Sequence, residues 1–123
     1  MGYRSDIAIA IHKDIQGEFL TFLKTTRVMA EIFGEYGFKL DKDFQGVGHW
    51  LFTEKQIKWY DCDPEHYPEV DAFASFFAVM DEDEETESKY RFVRIGERYD
   101  DVEERGEWYD ADLYVHREIQ IGL

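Results

Sequence analysis

The residues with the greatest chemical capacity in this chain are acids, and they come in two runs. Asp81, Glu82, Asp83, Glu84, Glu85 and Glu87 surround Thr86, and Asp100, Asp101, Glu103 and Glu104 follow further on. Paired carboxylates perform general acid–base work when their environments drive their pKa values apart. With a divalent ion they assist phosphate chemistry. Either use needs a cleft. Neither run is accompanied by an oxyanion-hole motif, a Gly-rich phosphate loop, a Ser-His-Asp set or a Cys-x-x-Cys pair. The first run also lacks the glycine that turns a calcium loop. Two other uses remain, solvated charge and a docking surface for a basic partner. Beside the second run stand Tyr99, Trp108 and Tyr109, and acids mixed with exposed aromatics suit a binding surface.

Other candidates are weaker. Asp61, Cys62, Asp63 and His66 have the right donor types for zinc, but they directly precede or flank Pro64. Helix capping by Asp61 or Asp63 accounts for them. His12, His49, His66 and His116 include no pair at a ligand spacing and are expected to be ordinary surface or strand histidines. No metal site and no cofactor are expected. Arg4, Asp6, Arg94, Glu97, Asp100 and Asp101 form the set from which a small-ligand or nucleotide pocket would be built. The alternative for the same arginines is structural: Arg4 or Arg94 pairing with Asp100, Asp101 or Glu103 would tie the acidic loop to a strand.

The chain that must position these groups has 123 residues, the size of one domain, here 1–123. It is 44% hydrophobic and 17% aromatic, enough for a packed core despite 34% charged residues. With 28 acids against 14 bases, its formal charge is −14. Direct binding to nucleic acid is disfavoured, because phosphates must be neutralised by Lys and Arg. The field instead attracts basic proteins, among them nucleic-acid-handling ones, or simply keeps the protein soluble. Cys62 is the single cysteine, which fits a reducing compartment. No segment approaches the roughly 20 apolar residues of a membrane span. The N-terminus does not read as a signal peptide, and Asp6 stands where a myristoylation pattern wants Ser or Thr. A cytoplasmic protein is expected.

Hydrophobic periodicity predicts the elements. Ile7, Ile9 and Ile11 alternate with Ala8 and Ala10, a strand over Asp6–Ile11. Asp14 is the expected N-cap of a long amphipathic helix, roughly Ile15 to Tyr36, with Gly37 or Gly34 ending it. Phe38–Gly48 reads as a loop, and His49–Thr53 and Gln56–Tyr60 as two strands joined near Glu54 and Lys55. Pro64 or Pro68 starts a second helix carrying Val70, Phe73, Phe77 and Met80. The run from Asp81 to Glu87 should fray, because acids oppose the dipole at a helix C-terminus. Tyr90–Ile95 is a strand, 96–110 a long loop and Leu113–Ile121 a last strand. The fold class is α+β, in the order β-α-β-β-α-β-β. Two helices pack on one face of an antiparallel sheet, and a ferredoxin-like arrangement with an extra strand is the expected topology. Phe19, Phe22, Leu23, Phe73 and Phe77 should share one core.

The opening MGYRSDIAIAI, with IKWYD, PEVDAF, FVRIGERYDDVEERG and LYVHREI, resembles a family of small acidic bacteriophage and prophage proteins that begin Met-Gly-Tyr-Arg-Ser-Asp. The segments span most of the chain. No catalytic residue comes with the resemblance. It implies a phage protein acting in the cytoplasm of a bacterial host, of a kind that in composition resembles host-takeover and anti-defence factors. The expected function is therefore non-catalytic: an acidic interaction protein, with mimicry of DNA charge as one route, that binds and inhibits or modulates a basic host protein. Asp81, Glu82, Asp83, Glu84, Glu85, Glu87, Asp100, Asp101, Glu103, Glu104, Trp108 and Tyr109 would form its contact surface. The rival is the small-ligand pocket around Arg4 and Arg94.

Overall fold

Alternating burial along Ser5–Ile11 (β1) follows from its sequence: Ile7, Ile9 and Ile11 are buried on one face, and Ala10 on the other. This strand is the centre of the sheet in a computed structural model that describes residues 3–34, 38–60, 65–98 and 100–113. The remaining elements are α1 (Gln16–Thr26), α2 (Met29–Phe33), β2 (Lys39–Phe44), β3 (His49–Ile57), α3 (Pro68–Met80), α4 (Glu84–Glu87), β4 (Tyr90–Gly96) and β5 (Val102–Arg105). Every strand pairing is antiparallel and the order is β2-β3-β1-β4-β5. The first four strands have ferredoxin-like topology, a split βαβ, and β5 extends the sheet beyond β4.

Helices α1 and α3 cover one face. Phe19 and Leu23 of α1 and Val70, Phe73, Phe76, Phe77 and Met80 of α3 pack onto Ile7, Ile9, Ile11, Phe52, Tyr90 and Phe92. Of the five expected core residues, Phe19, Leu23, Phe73 and Phe77 are buried, whereas Phe22 is only half-buried at the margin. The second face carries a smaller cluster. Trp108 and Ala111 lie over Ala10, flanked by Phe44, Leu51 and Leu113.

Several boundaries differ from expectation, each for a local reason. The long helix stops at Thr26, where Arg27 takes the left-handed conformation (φ 61°) and α2 restarts at Met29. Thr25 and Thr26 donate their hydroxyls to carbonyls of the preceding turn, a habit that weakens a helix end. Asp14 is not the cap. His12 Nδ1 accepts from Asp14 N and starts a 3-10 turn, Lys13–Ile15, before α1. Phe38–Gly48 is not simply a loop, because it contains β2. The two expected strands over 49–60 are one, β3, with an irregularity in its pairing to β1. There Gln56 adopts φ 55° and donates its N–H to Asp6 Oδ1. Pro68 is the first residue of α3. The acidic run does not simply fray. Asp83 caps α4 by accepting from Glu85 N, so these acids stand at a helix N-terminus, where the dipole favours them. The segment 96–110 contains β5, and Leu113 is not in a strand. Tyr36, Gly37, Asp61–Pro64, Tyr99, Tyr114–Ile121 and His116 lie outside the described residues.

Gly106 joins β5 to the Trp108 segment with φ 84°. A Cβ there would press on the Tyr90 backbone, 2.8 Å from its carbonyl carbon and closer still to its oxygen. Gly106→Ala is therefore expected to cost about 1–3 kcal/mol, read as a lower urea midpoint at unchanged m-value.

Candidate functional site

The two acidic runs face different fates. In the second run, cations of β4 meet nearly every carboxylate. Arg94 makes a fork with Asp101, Nη2 to Oδ1 at 2.7 Å and Nη1 to Oδ2 at 3.2 Å. Its Nε donates to Glu103 at 3.1 Å, and Nη1 also donates to Ser5 Oγ. Arg91 lies 3.3 Å from Glu104 on the other face of the sheet and donates to the carbonyls of Gly106 and Leu113. Antiparallel register produces these pairs, since Arg94 sits opposite Glu103 and Val93 opposite Glu104. Asp101, held by Arg94 and then by Tyr3, has its pKa lowered to about 2. Asp100 is exposed and its carbonyl accepts from Val102 N.

This geometry reassigns the expected pocket. Arg94 directs its donors into protein acceptors. Arg4 donates Nη1 to Gln56 O, and its backbone N–H goes to Glu97 Oε1. Asp6 holds the β3 irregularity. Arg4, Asp6 and Glu97 line one shallow cleft, and Arg94 and Asp101 line another of about 390 Å³ with Tyr3, Trp59, Tyr60, Arg98 and Glu103. Apart from Asp100, which lines neither, the residues of the supposed ligand set thus divide between two clefts, and most of their charged groups are bonded to the fold.

The first run is different. Asp81 is structural: Tyr90 Oη donates to its Oδ1 at 2.6 Å and Arg105 Nη2 contacts its Oδ2 at 3.0 Å. Burial, and then Asp81, push the Tyr90 pKa up. Glu82, Asp83, Glu84 and Glu85 are exposed, and among the described residues no basic side chain forms an ion pair with Glu82, Glu84 or Glu85. Glu107 joins them from the far end of β5, its N–H bonded to Glu87 O at 2.9 Å. Partial loss of solvent, then repulsion from Glu107 and Asp81, raise the Glu87 pKa. Carboxylates remote in sequence therefore converge on one corner. Among the described residues no group of His, Cys, Asp and Glu has a geometry that would hold a metal ion.

The aromatic members also separate. Tyr109 is 69% exposed, with Arg91 over its ring at 5.5 Å. Trp108 is only 7% exposed, so it is not an anchor for a partner; it is the cover of Ala10. Its indole also packs on His12 and His49. These two histidines were not expected to meet. Their spacing in sequence gives no sign of it, and only register does: Ile11 pairs with Trp50, which makes His12 and His49 the next couple outward. His66 is exposed in the turn before α3, while Asp61, Cys62 and Asp63 lie outside the described residues.

Among the described residues no helix is long and apolar enough to cross a membrane. No family model, curated protein or solved structure matched the chain.

Proposed function

We propose that this protein is a non-catalytic acidic interaction protein whose contact surface is the corner formed by Glu82, Asp83, Glu84, Glu85, Glu87 and Glu107. The observation that carries this reading is the contrast between the two acidic runs. Asp101, Glu103 and Glu104 are neutralised by β4 arginines, whereas the α4 corner gathers carboxylates without comparable pairing. Core packing has no need of such crowding, and like charges there oppose the fold. Exposed Tyr109, further along the same segment as Glu107, supplies an amphipathic ring of the kind that anchors interfaces. The partner fitting this surface is a basic protein, and nucleic-acid-handling or defence proteins of a bacterial host are the proposed class. The resemblance to phage proteins supports that context. Asp81, Asp101, Glu103 and Glu104 stand outside this surface because arginines hold their carboxylates, Trp108 because it is buried, and Asp100 because it belongs to the neutralised run.

The experiment is capture from bacterial lysate on the immobilised protein, followed by affinity measurements on the recovered partner at several salt concentrations. The informative variant is Glu82→Gln/Glu84→Gln/Glu85→Gln, which removes charge without touching Asp81 or the Asp83 cap. Exposed ion pairs contribute about 0.5 kcal/mol each. Loss of three should weaken binding about tenfold at low salt and flatten the salt dependence, with a thermal melt that is no lower than that of the wild type. Equal, salt-independent affinity for wild type and variant would remove the corner from the function.

A further inference from the structure

His12 follows β1 and His49 opens β3, and their ring centroids lie 4.2 Å apart. Each uses its Nδ1 to accept a backbone N–H of the 3-10 turn. His49 takes Lys13 N at 2.9 Å and His12 takes Asp14 N at 3.0 Å. These bonds fix the tautomer, leaving the proton of each neutral ring on Nε2. A pair in that state is unsuited to sharing a metal ion through Nε2. It is well suited to sensing a proton. Protonation would place a hydrogen on an Nδ1 that already faces an N–H, turning an acceptor into a second donor.

The surroundings amplify that change. Lys13 and Lys89 stand on the cationic side. Asp14 lies 3.6 Å from His12 Nδ1 but is shared with Lys89 Nζ at 3.3 Å. Glu107 and Asp110 line the adjoining cleft with His12, Ser88 and Lys89. His49 is 6% exposed. Trp108 rests on both rings, with centroids 5.1 Å from His12 and 4.7 Å from His49.

We propose that the stacked His12–His49 pair is an acid-operated latch for the segment from Trp108 to Ala111. With both rings neutral, the pair binds the turn and supports Trp108 over Ala10. A proton entering the pair breaks a backbone bond, drives the rings apart and releases Trp108, baring Ala10, Phe44 and Leu51. Burial lowers the pKa of both rings, and each is lowered further by a neighbour, His49 acting on His12 and Lys13 on His49. A folded-state pKa below the ordinary 6.5 means the contribution is full above 6.5. It is lost as pH falls below that value and through the folded pKa.

The test is ¹⁹F NMR of the whole chain labelled with 5-fluorotryptophan, titrated from about pH 8 to about pH 5 across the histidine range. Trp108→Phe assigns the signals, and the imidazole protons are followed in parallel. The Trp108 signal should move with the midpoint of the His12 and His49 rings while that of Trp59 stays. Protection of the Trp108 amide, bonded to Tyr90 O, should fall by up to about tenfold per pH unit for each histidine. The Ile9 amide should keep its protection. His12→Asn/His49→Asn, which offers amide oxygens that do not titrate, should abolish the movement. If that variant does not fold, the comparison of midpoints in the native chain decides alone. A Trp108 signal constant to the acid limit of the titration, one moving with a different midpoint, or one moving only together with Trp59 overturns the latch.

Discussion

Phe73→Ala is expected to lower the unfolding free energy by about 3–5 kcal/mol, the range for truncating a buried aromatic. Phe73 is 0% exposed and lies at the junction of α3 with the sheet and with α1. Its ring meets Phe19 at 5.6 Å, Phe38 at 5.3 Å, Phe52 at 5.5 Å, Trp59 at 6.2 Å and Phe77 at 6.1 Å. Removing it takes a partner from each of these rings, and a core already filled by aromatics has few small side chains with which to collapse the cavity. Phe22→Ala is the internal control. Phe22 is half-buried and meets Phe76 at 5.7 Å at the rim, so its truncation should cost clearly less. Urea denaturation of both variants checks the order. Equal midpoints would refute the placement of Phe73 at the centre of the core.

The same contrast explains what the sequence revealed and what it concealed. β1 and α3 were legible because burial there follows the period of the element: Ile7, Ile9 and Ile11 at two, and Val70, Phe73, Phe77 and Met80 at three and four. β2 was not. Leu40 and Phe44 are spaced to share a face in a regular strand, yet Leu40 pairs with Phe52 and Phe44 with His49. The irregularity between Asp41 and Phe44 sends Leu40 to the helix side and Phe44 to the Trp108 side. β5 was hidden for another reason. Val-Glu-Glu-Arg has no hydrophobic alternation, and ion pairs hold much of it in place: Glu103 to Arg94, Glu104 to Arg91 and Arg105 to Asp81. Charge in a sequence carries no label for whether it is paired. Hence both acidic runs looked like surface, and only the register of β4 against β5 separated the neutralised run from the crowded one. Trp108 follows the same rule: among acids its sequence context reads as exposed, whereas the face beneath it, Ala10, buries it.

Arg94→Leu should be one of the most damaging changes of charge among the described residues. The guanidinium and the Asp101 carboxylate are 15% and 18% exposed as side chains, so most of both is shielded. Leucine would leave Asp101 and Glu103 close together without their cation and Ser5 Oγ without its donor. Breaking a shielded pair by removing one partner costs about 3–5 kcal/mol, and the residual exposure places the expectation near the lower figure. Gly96 reports how tight the arrangement is, since a Cβ there would meet Asp101 Oδ2 and Tyr3 Oη. Arg94→Lys should recover only part of the loss, because a point charge cannot make the fork to Asp101 while also reaching Glu103. A second signature comes from acid. Hydrogen bonds from Arg94, then Tyr3, hold the Asp101 pKa at about 2 against an ordinary 3.8. A depressed folded pKa gives stability that is full above 3.8 and disappears as pH falls through about 2. With its partial exposure discounted, that contribution is about 1–2 kcal/mol. Stability measured from pH 5 to pH 2 should therefore fall less steeply in Arg94→Leu than in wild type, and Asp101→Asn should flatten the same interval. An Arg94→Leu protein with unchanged midpoint and unchanged acid response would mean that the fork is dispensable to the fold. Arg94 would then be available to a ligand, and the pocket reading would displace the acidic corner.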